Sequence, residues 1–398
     1  MNIDLNFKRL LDEEYSIERV FQPEDYDWPS DWEGRALLAF TCHYNIHGKK
    51  APCMDQLVSA LAEKTKGNLF FGKPFDGITV DEQQISGHSW YLRGLVEYAK
   101  AFDSQEAKDC LKATVEGLYL PIAEWYDRYP LEREKKSGGV SGEVLSSVSG
   151  WRLSTDVGCA FMCVDGLAHY YAYTKDERVL TLLKKIISVF DKIDKVKWGF
   201  QTHTTLTCTR GILKLFEATG SPELLEIAKK TFYEYTQKGM TLTYQNFNWY
   251  GREDSWTEPC AVVDSFILAT ELYKITENEW YKTLSRRIWF NGLQFCQREN
   301  GGAGPDSCVT KEQPVLKISM YEAPFCCTMR YSEGLLEYSK NQELFSWNAS
   351  GEEELDAYGR RFIDDRLIVL NGDKKEPIFS CCDIAKDRAL SLQLKIIY

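Results

Sequence analysis

Apolar residues recur along most of this chain three and four positions apart, the period of a helix with one buried face. Tyr91, Leu95, Tyr98 and Phe102 fall at i, i+4, i+7 and i+11 and predict a helix over 88–102. It stops at Asp103-Ser104-Gln105-Glu106, where Asp or Ser can cap the next helix and an acid can close a capping box. The same punctuation returns at Thr174-Lys175-Asp176-Glu177, ahead of Val179, Leu183, Ile186 and Phe190 on one stripe. It returns again as Gly220-Ser221-Pro222-Glu223, with Pro suited to the first helical position, and as Thr276-Glu277-Asn278-Glu279.

These breaks lie about 45 to 70 residues apart, the length of a helical hairpin with a long loop. A hairpin that buries one face needs a neighbour to cover the other, so an array of hairpins must stack or close. The expected fold is therefore all-α, an (α/α)6 toroid over residues 1–347; an open solenoid would show more uniform repeats. The long loops, including 136–142, Tyr244 to Trp256 and 300–305, are where function is expected. Beyond Trp347 the pattern changes. A polar stretch is followed by Arg366 to Leu370 and Leu390 to Tyr398, which read as two strands, making 348–398 a small loop and β appendage.

Composition narrows the partners. A net charge of −11, with basic residues scattered among more numerous acids, excludes the clustered Lys and Arg that a nucleic acid needs. The same balance disfavours an anionic membrane surface, and no apolar run reaches the length of a membrane span. No basic segment followed by an apolar one opens the chain, so a cytoplasmic location is expected. Aromatic residues at 13% fill a core, and also suit a cleft that stacks rings on sugar faces; they are numerous enough to support a homodimer. Gly301-Gly302-Ala303-Gly304 lacks the Lys that a phosphate-binding loop carries.

Thirteen cysteines with no export signal point to metal binding or chemistry rather than disulfides. Cys326 and Cys327 are adjacent, a spacing that strains a mutual disulfide but lets both thiolates meet one metal ion. Buried small apolar residues are the plainer explanation of such a doublet, and Cys381-Cys382 is a second one with no companion motif. In Trp256-Thr257-Glu258-Pro259-Cys260, a carboxylate and a thiol one residue apart at a helix entrance can point the same way. Glu258, Cys260, Cys326 and Cys327 together make the ligand number of a tetrahedral zinc site.

With Glu258-Pro259-Cys260 followed by Cys326-Cys327, the stretch from His88 to Tyr331, about 60% of the chain, resembles the retaining β-L-arabinofuranosidases of glycoside hydrolase family 127. Val262 to Ile275 and Arg287 to Gly292 are similar as well. The resemblance implies zinc held by Glu258, Cys260, Cys326 and Cys327, with Cys326 attacking the anomeric carbon of a small neutral glycoside, such as a β-L-arabinofuranoside. It also implies that His203 and His88 open helices facing the sugar, while His169 belongs to core or surface. Trp256 stands as a further substrate contact.

The departures from the family are specific. Its acid/base Glu sits in a longer Gly-rich loop; here Glu253 and Asp254 are the nearest carboxylates, with Glu253 the candidate acid. A His-rich segment expected near Ser154 is absent, leaving Asp156, which faces substrate or supports a rival reading as a toroidal unsaturated-uronide hydrolase. A third reading is a zinc-stabilised carbohydrate-binding or scaffold protein without catalysis.

Overall fold

Helices do end and restart at the anticipated breaks, each for a local chemical reason. The computed structural model describes residues 2–23, 25–132, 140–383 and 385–398, so residues 136–139 of the insertion anticipated at 136–142 lie outside the described residues. Ser104 caps Gln105–Thr114 by accepting from the Ala107 amide at 3.2 Å. Asp176 caps Glu177–Lys192 through the Arg178 amide at 3.0 Å, and Asn278 caps Glu279–Arg287 through the Trp280 amide at 3.0 Å. Pro222 opens Pro222–Lys238. The preceding helices close at Asp103, Lys175, Gly220 and Glu277, all with positive φ. Each returns its amide to the carbonyl four residues back, the αL closure. Glu106 acts differently from the expected capping-box acid: its carboxylate accepts the Ser104 hydroxyl at 2.9 Å.

The first helix of the pattern is Glu82–Phe102, longer than the anticipated 88–102. Asp81 caps it, accepting from the amides of Gln83 at 2.9 Å and Gln84 at 3.3 Å. His88 therefore lies nearly two turns inside this helix and does not open it.

The chain forms two compact units, residues 11–231 and residues 2–10 with 232–398. In residues 11–231, Asp31–His47 packs on Glu82–Phe102, which packs on Cys163–Thr174, which packs on Thr202–Thr219. Small residues allow this closeness: a Cβ on Gly34 would stand 2.2 Å from the Tyr91 amide nitrogen, and one on Gly211 2.5 Å from that of Asp165. The stripe Val179, Leu183, Ile186 and Phe190 is wholly buried. Val80–Asp81 runs parallel to Trp151–Ser154, which pairs antiparallel with Val144–Val148.

In residues 2–10 with 232–398, Pro259–Thr276 packs on Glu279–Arg287 and on Cys327–Lys340, and Ile3–Leu10 also lies on Cys327–Lys340. The C-terminal region holds more strand than the two segments anticipated. Val315–Lys317, Gln393–Ile396, Arg366–Asn371, Arg361–Ile363 and Glu353–Leu355 pair in that order, and Lys374–Pro377 adds to Arg366–Asn371. Leu390 belongs to the short helix Lys386–Ser391 rather than to the final strand. Among the described residues no helix is long and apolar enough to cross a membrane.

Candidate metal centre

Two helix starts within residues 232–398 carry the candidate ligands. Glu258 is the N-cap of Pro259–Thr276, with Pro259 where a helix needs no amide donor and Cys260 next. The Glu258 carboxylate makes no capping bond to its own helix, while its amide donates to Asn246 Oδ1 at 2.8 Å. Thr257 is clamped to Asp306 twice, amide to carbonyl and amide to hydroxyl, at 2.8 Å each. Asp306 is fixed in turn by Arg298 at 2.8 Å, both side chains fully buried, and by Gln245 at 2.6 Å. Burial pushes the Asp306 carboxyl up to about 6 against the pull of Arg298. Arg298 also donates to the carbonyls of Phe295, Gly304 and Tyr321, so one guanidinium ties three chain segments to the Thr257 clamp.

The second start is Cys326, the N-cap of Cys327–Lys340. Glu322, four residues earlier, is held by Arg9 at 2.9 Å, by the Thr328 hydroxyl at 2.9 Å and by Asn300 at 2.6 Å. These contacts pin the turn that delivers the doublet. Below the two starts, the fully buried Asp264 and Arg330 form an ion pair between the two helices.

The thiols of Cys260, Cys326 and Cys327 consequently meet. Cys260 Sγ lies 3.7 Å from Cys327 Sγ, Cys326 Sγ lies 3.3 Å from Cys327 Sγ, and all three are within 4.8 Å of one another. A Glu258 carboxylate oxygen is within 4.8 Å of Cys260 Sγ. Zinc–sulfur bonds of about 2.3 Å in a tetrahedron set sulfurs roughly 3.8 Å apart, so the three thiols fit a zinc-sized ion after small adjustments. Both thiol-bearing segments also present helix N-termini, whose partial positive charge favours thiolates. As thiols alone, the cluster shares protons: hydrogen bonds with Cys260 and Cys326, then burial, push the Cys327 thiol well above its usual range. A bound cation reverses that preference. Cys260 and Cys327 are buried, whereas Cys326 is partly exposed.

The other anticipated site residues are placed as follows. Glu253 is exposed on the turn before Trp256, and its neighbour Asp254 is engaged by Arg252 at 2.7 Å. Trp256 is half-buried and meets Trp249 edge to face at 5.4 Å. The remaining three lie in residues 11–231. His203, second residue of Thr202–Thr219, is 3% exposed and stacks on Trp90 at 5.9 Å. His88 is fully buried, with Nδ1 against the Gln84 carbonyl at 2.7 Å and Nε2 against Ser30 Oγ at 2.9 Å, and burial pulls it down to about 4. Asp156 accepts from the Ser141 hydroxyl at 2.8 Å and the Gly142 amide at 3.2 Å. His169 is engaged by Arg93 at 2.8 Å. Cys381 and Cys382 are buried, and among the described residues they join no group of three metal-type ligands. Asp264, Arg330, Arg298 and Asp306 were not singled out from the sequence. Asp264 lies four residues after Cys260 and Arg330 three after Cys327, helical spacings that place a charge beneath each thiol.

No protein-family model matches the sequence, and no curated protein matches it significantly. Structural comparison does find similar folds. A β-arabinofuranosidase of glycoside hydrolase family 127 aligns with a TM-score of 0.59 at 12% identity, over 94% of this chain and 62% of its own. A family 127 β-L-arabinofuranosidase from Geobacillus stearothermophilus T6 gives 0.51 at 12% identity, over 92% and 64%. A cellobiose 2-epimerase from Bacillus thermoamylovorans B4167 gives 0.52 at 14% identity, over 77% and 86%. This chain thus spans less than two thirds of either arabinofuranosidase. At such identities the likeness shows the fold, the mostly helical (α/α)6 six-hairpin class with a small antiparallel sheet near the C-terminus. Hydrolases and an epimerase share it, so the reaction has to be argued from the site.

Proposed function

We propose that this chain is a zinc-dependent retaining glycoside hydrolase with Cys326 as nucleophile, acting on a small neutral glycoside such as a β-L-arabinofuranoside. One observation carries the reading: three cysteine sulfurs converge where two helices begin, with the Glu258 carboxylate beside one of them, Cys260. Glu258, Cys260, Cys326 and Cys327 hold the ion, which when bound keeps its thiolate ligands ionised at neutral pH. Cys326 is the attacking group because it alone of the three is partly exposed.

Its sulfur forms a bond to the anomeric carbon as the bond to the leaving oxygen breaks, and a carboxylic acid gives that oxygen its proton. The same group, now a carboxylate, then takes a proton from water, whose oxygen displaces the sulfur and restores the original configuration. Glu253 is the proposed acid, since Asp254 on the same turn is occupied by Arg252. Trp256 offers a ring for the C–H face of the sugar. Asp156 is bound by Ser141 and Gly142, an arrangement that favours loop fastening over proton transfer to a uronide.

The test is hydrolysis of a panel of aryl furanosides and pyranosides by zinc-loaded protein. The expected result is turnover of at least one neutral substrate, with kcat/KM falling about 1,000-fold or more in Cys326→Ser of unchanged circular dichroism. Full activity in Cys326→Ser would overturn the nucleophile. No turnover by protein that binds zinc would favour the scaffold reading instead.

A further inference from the structure

A cavity of about 630 Å³ lies wholly within residues 11–231 and shares no residue with the cysteine cluster. Its volume falls in the roughly 300–1,000 Å³ range of small-molecule sites. Ile85, Leu118 and Ile122 give it an apolar side, and Tyr26 and Phe75 add rings; Phe75 is steadied edge to face on Trp125 at 5.7 Å.

Its polar side is prearranged. Asp81 and Arg152 are directly paired across the parallel strands, and Arg152 also bonds Asp27 at 2.9 Å. Asp81 Oδ1 meanwhile caps Glu82–Phe102, so the guanidinium is anchored to a helix start rather than to a free loop. Gln84 donates to the carbonyls of Phe71 at 3.1 Å and Lys73 at 2.8 Å, fixing the segment that leads to Phe75. Side chains held this way lose little freedom when a ligand arrives.

The lining selects among ligand classes. Among the described lining residues, Asp25, Asp27, Asp76 and Asp81 face two cations, Arg152 and Lys73, which disfavours an anion. A wholly apolar ligand would strip water from these charges without replacing its hydrogen bonds. A cation would compete with Arg152 for Asp27 and Asp81, while Asp76 already accepts from the Ile78 and Thr79 amides at 2.7 Å each. Hydroxyl groups can donate to the carboxylates and accept from the guanidinium at once, while C–H faces lie against Phe75 and Tyr26. We infer that this cavity is a binding site for a short neutral saccharide, a function additional to the proposed hydrolysis and independent of it.

The test is calorimetric titration of the full chain with glucose, L-arabinose, cellobiose and lactose, and with glucuronate and glucosamine as charged counterparts. At least one neutral sugar is expected to bind saturably and more tightly than either charged sugar. Its affinity should fall tenfold or more in Phe75→Ala and in the solvent-exposed Asp27→Asn, with thermal midpoints close to the parent. Cys326→Ser should bind unchanged, which separates this site from the cysteine cluster. Absence of saturable binding by all four neutral sugars would overturn the inference, as would preference for a charged sugar. Affinity that survives Phe75→Ala and Asp27→Asn but disappears in Cys326→Ser would overturn it too.

Discussion

Burial without full compensation sets the ionisation of individual side chains, and this has measurable consequences. Glu33 is 5% exposed, accepts from the Gln22 amide at 3.3 Å, and is pushed by burial up to about 8 from an ordinary 4.5. An acid whose folded pKa is raised contributes stability that is complete below pH 4.5 and is lost as pH rises toward 8. Glu33→Gln, nearly isosteric, removes that dependence. Unfolding free energies from urea titration should match the parent at pH 5 and exceed it at pH 8, by a few kcal/mol at most given about 1.4 kcal/mol per pKa unit. His88 acts with the opposite sign: pulled down to about 4, it contributes stability present above pH 6.5 and lost as pH falls toward 4. The misplaced start of its helix has a related cause. Glu82 and Gln83 are polar yet buried, because Glu82 takes the Ser154 amide at 2.7 Å and the Tyr129 hydroxyl while Gln83 donates to Gly142 at 2.7 Å. Hydropathy along the chain cannot register polar residues whose partners are distant in sequence.

At the scale of elements, the candidate metal centre depends on how two helix starts are held together. Glu258-Pro259-Cys260 and Cys326-Cys327 were legible because cap, proline and thiols are neighbours in the chain. The Asp264–Arg330 pair beneath them was not, since a charged residue in a helix ordinarily reads as a solvent-facing one. Asp264→Asn removes one of the two carboxylates paired with the buried Arg330, Glu333 being the other, so it should cost up to about 3 kcal/mol in thermal or urea unfolding. It should also weaken zinc binding tenfold or more in competition with a chromophoric chelator, and unchanged affinity would remove the pair from any positioning role. Capping is the milder case: Asn278→Ala should cost about 1 kcal/mol without altering metal affinity. Most strands escaped detection for another reason. Val315–Lys317 is three residues long and pairs with Gln393–Ile396, a partner that short-range alternation does not reveal.

At the scale of the molecule, repeated breaks and amphipathic stripes made the six-hairpin class readable, because each hairpin is a local unit with its own start and stop signals. The activity is not encoded that way: β-arabinofuranosidases and a cellobiose 2-epimerase share the fold at 12% and 14% identity to this chain. Side chains far apart in sequence decide it. A metal that binds only the folded cluster must stabilise it by mass action, so chelation should lower the thermal midpoint and zinc should restore it, with magnesium or manganese salts less effective at matched free concentration. The most direct test of the whole account is zinc-edge X-ray absorption on purified protein, joined to metal analysis. Expected is one zinc per chain with three sulfur neighbours at about 2.3 Å and one oxygen at about 2.0 Å, lost in Cys260→Ser/Cys327→Ser. Zinc absent after reconstitution, or surrounded only by oxygen and nitrogen, would contradict it.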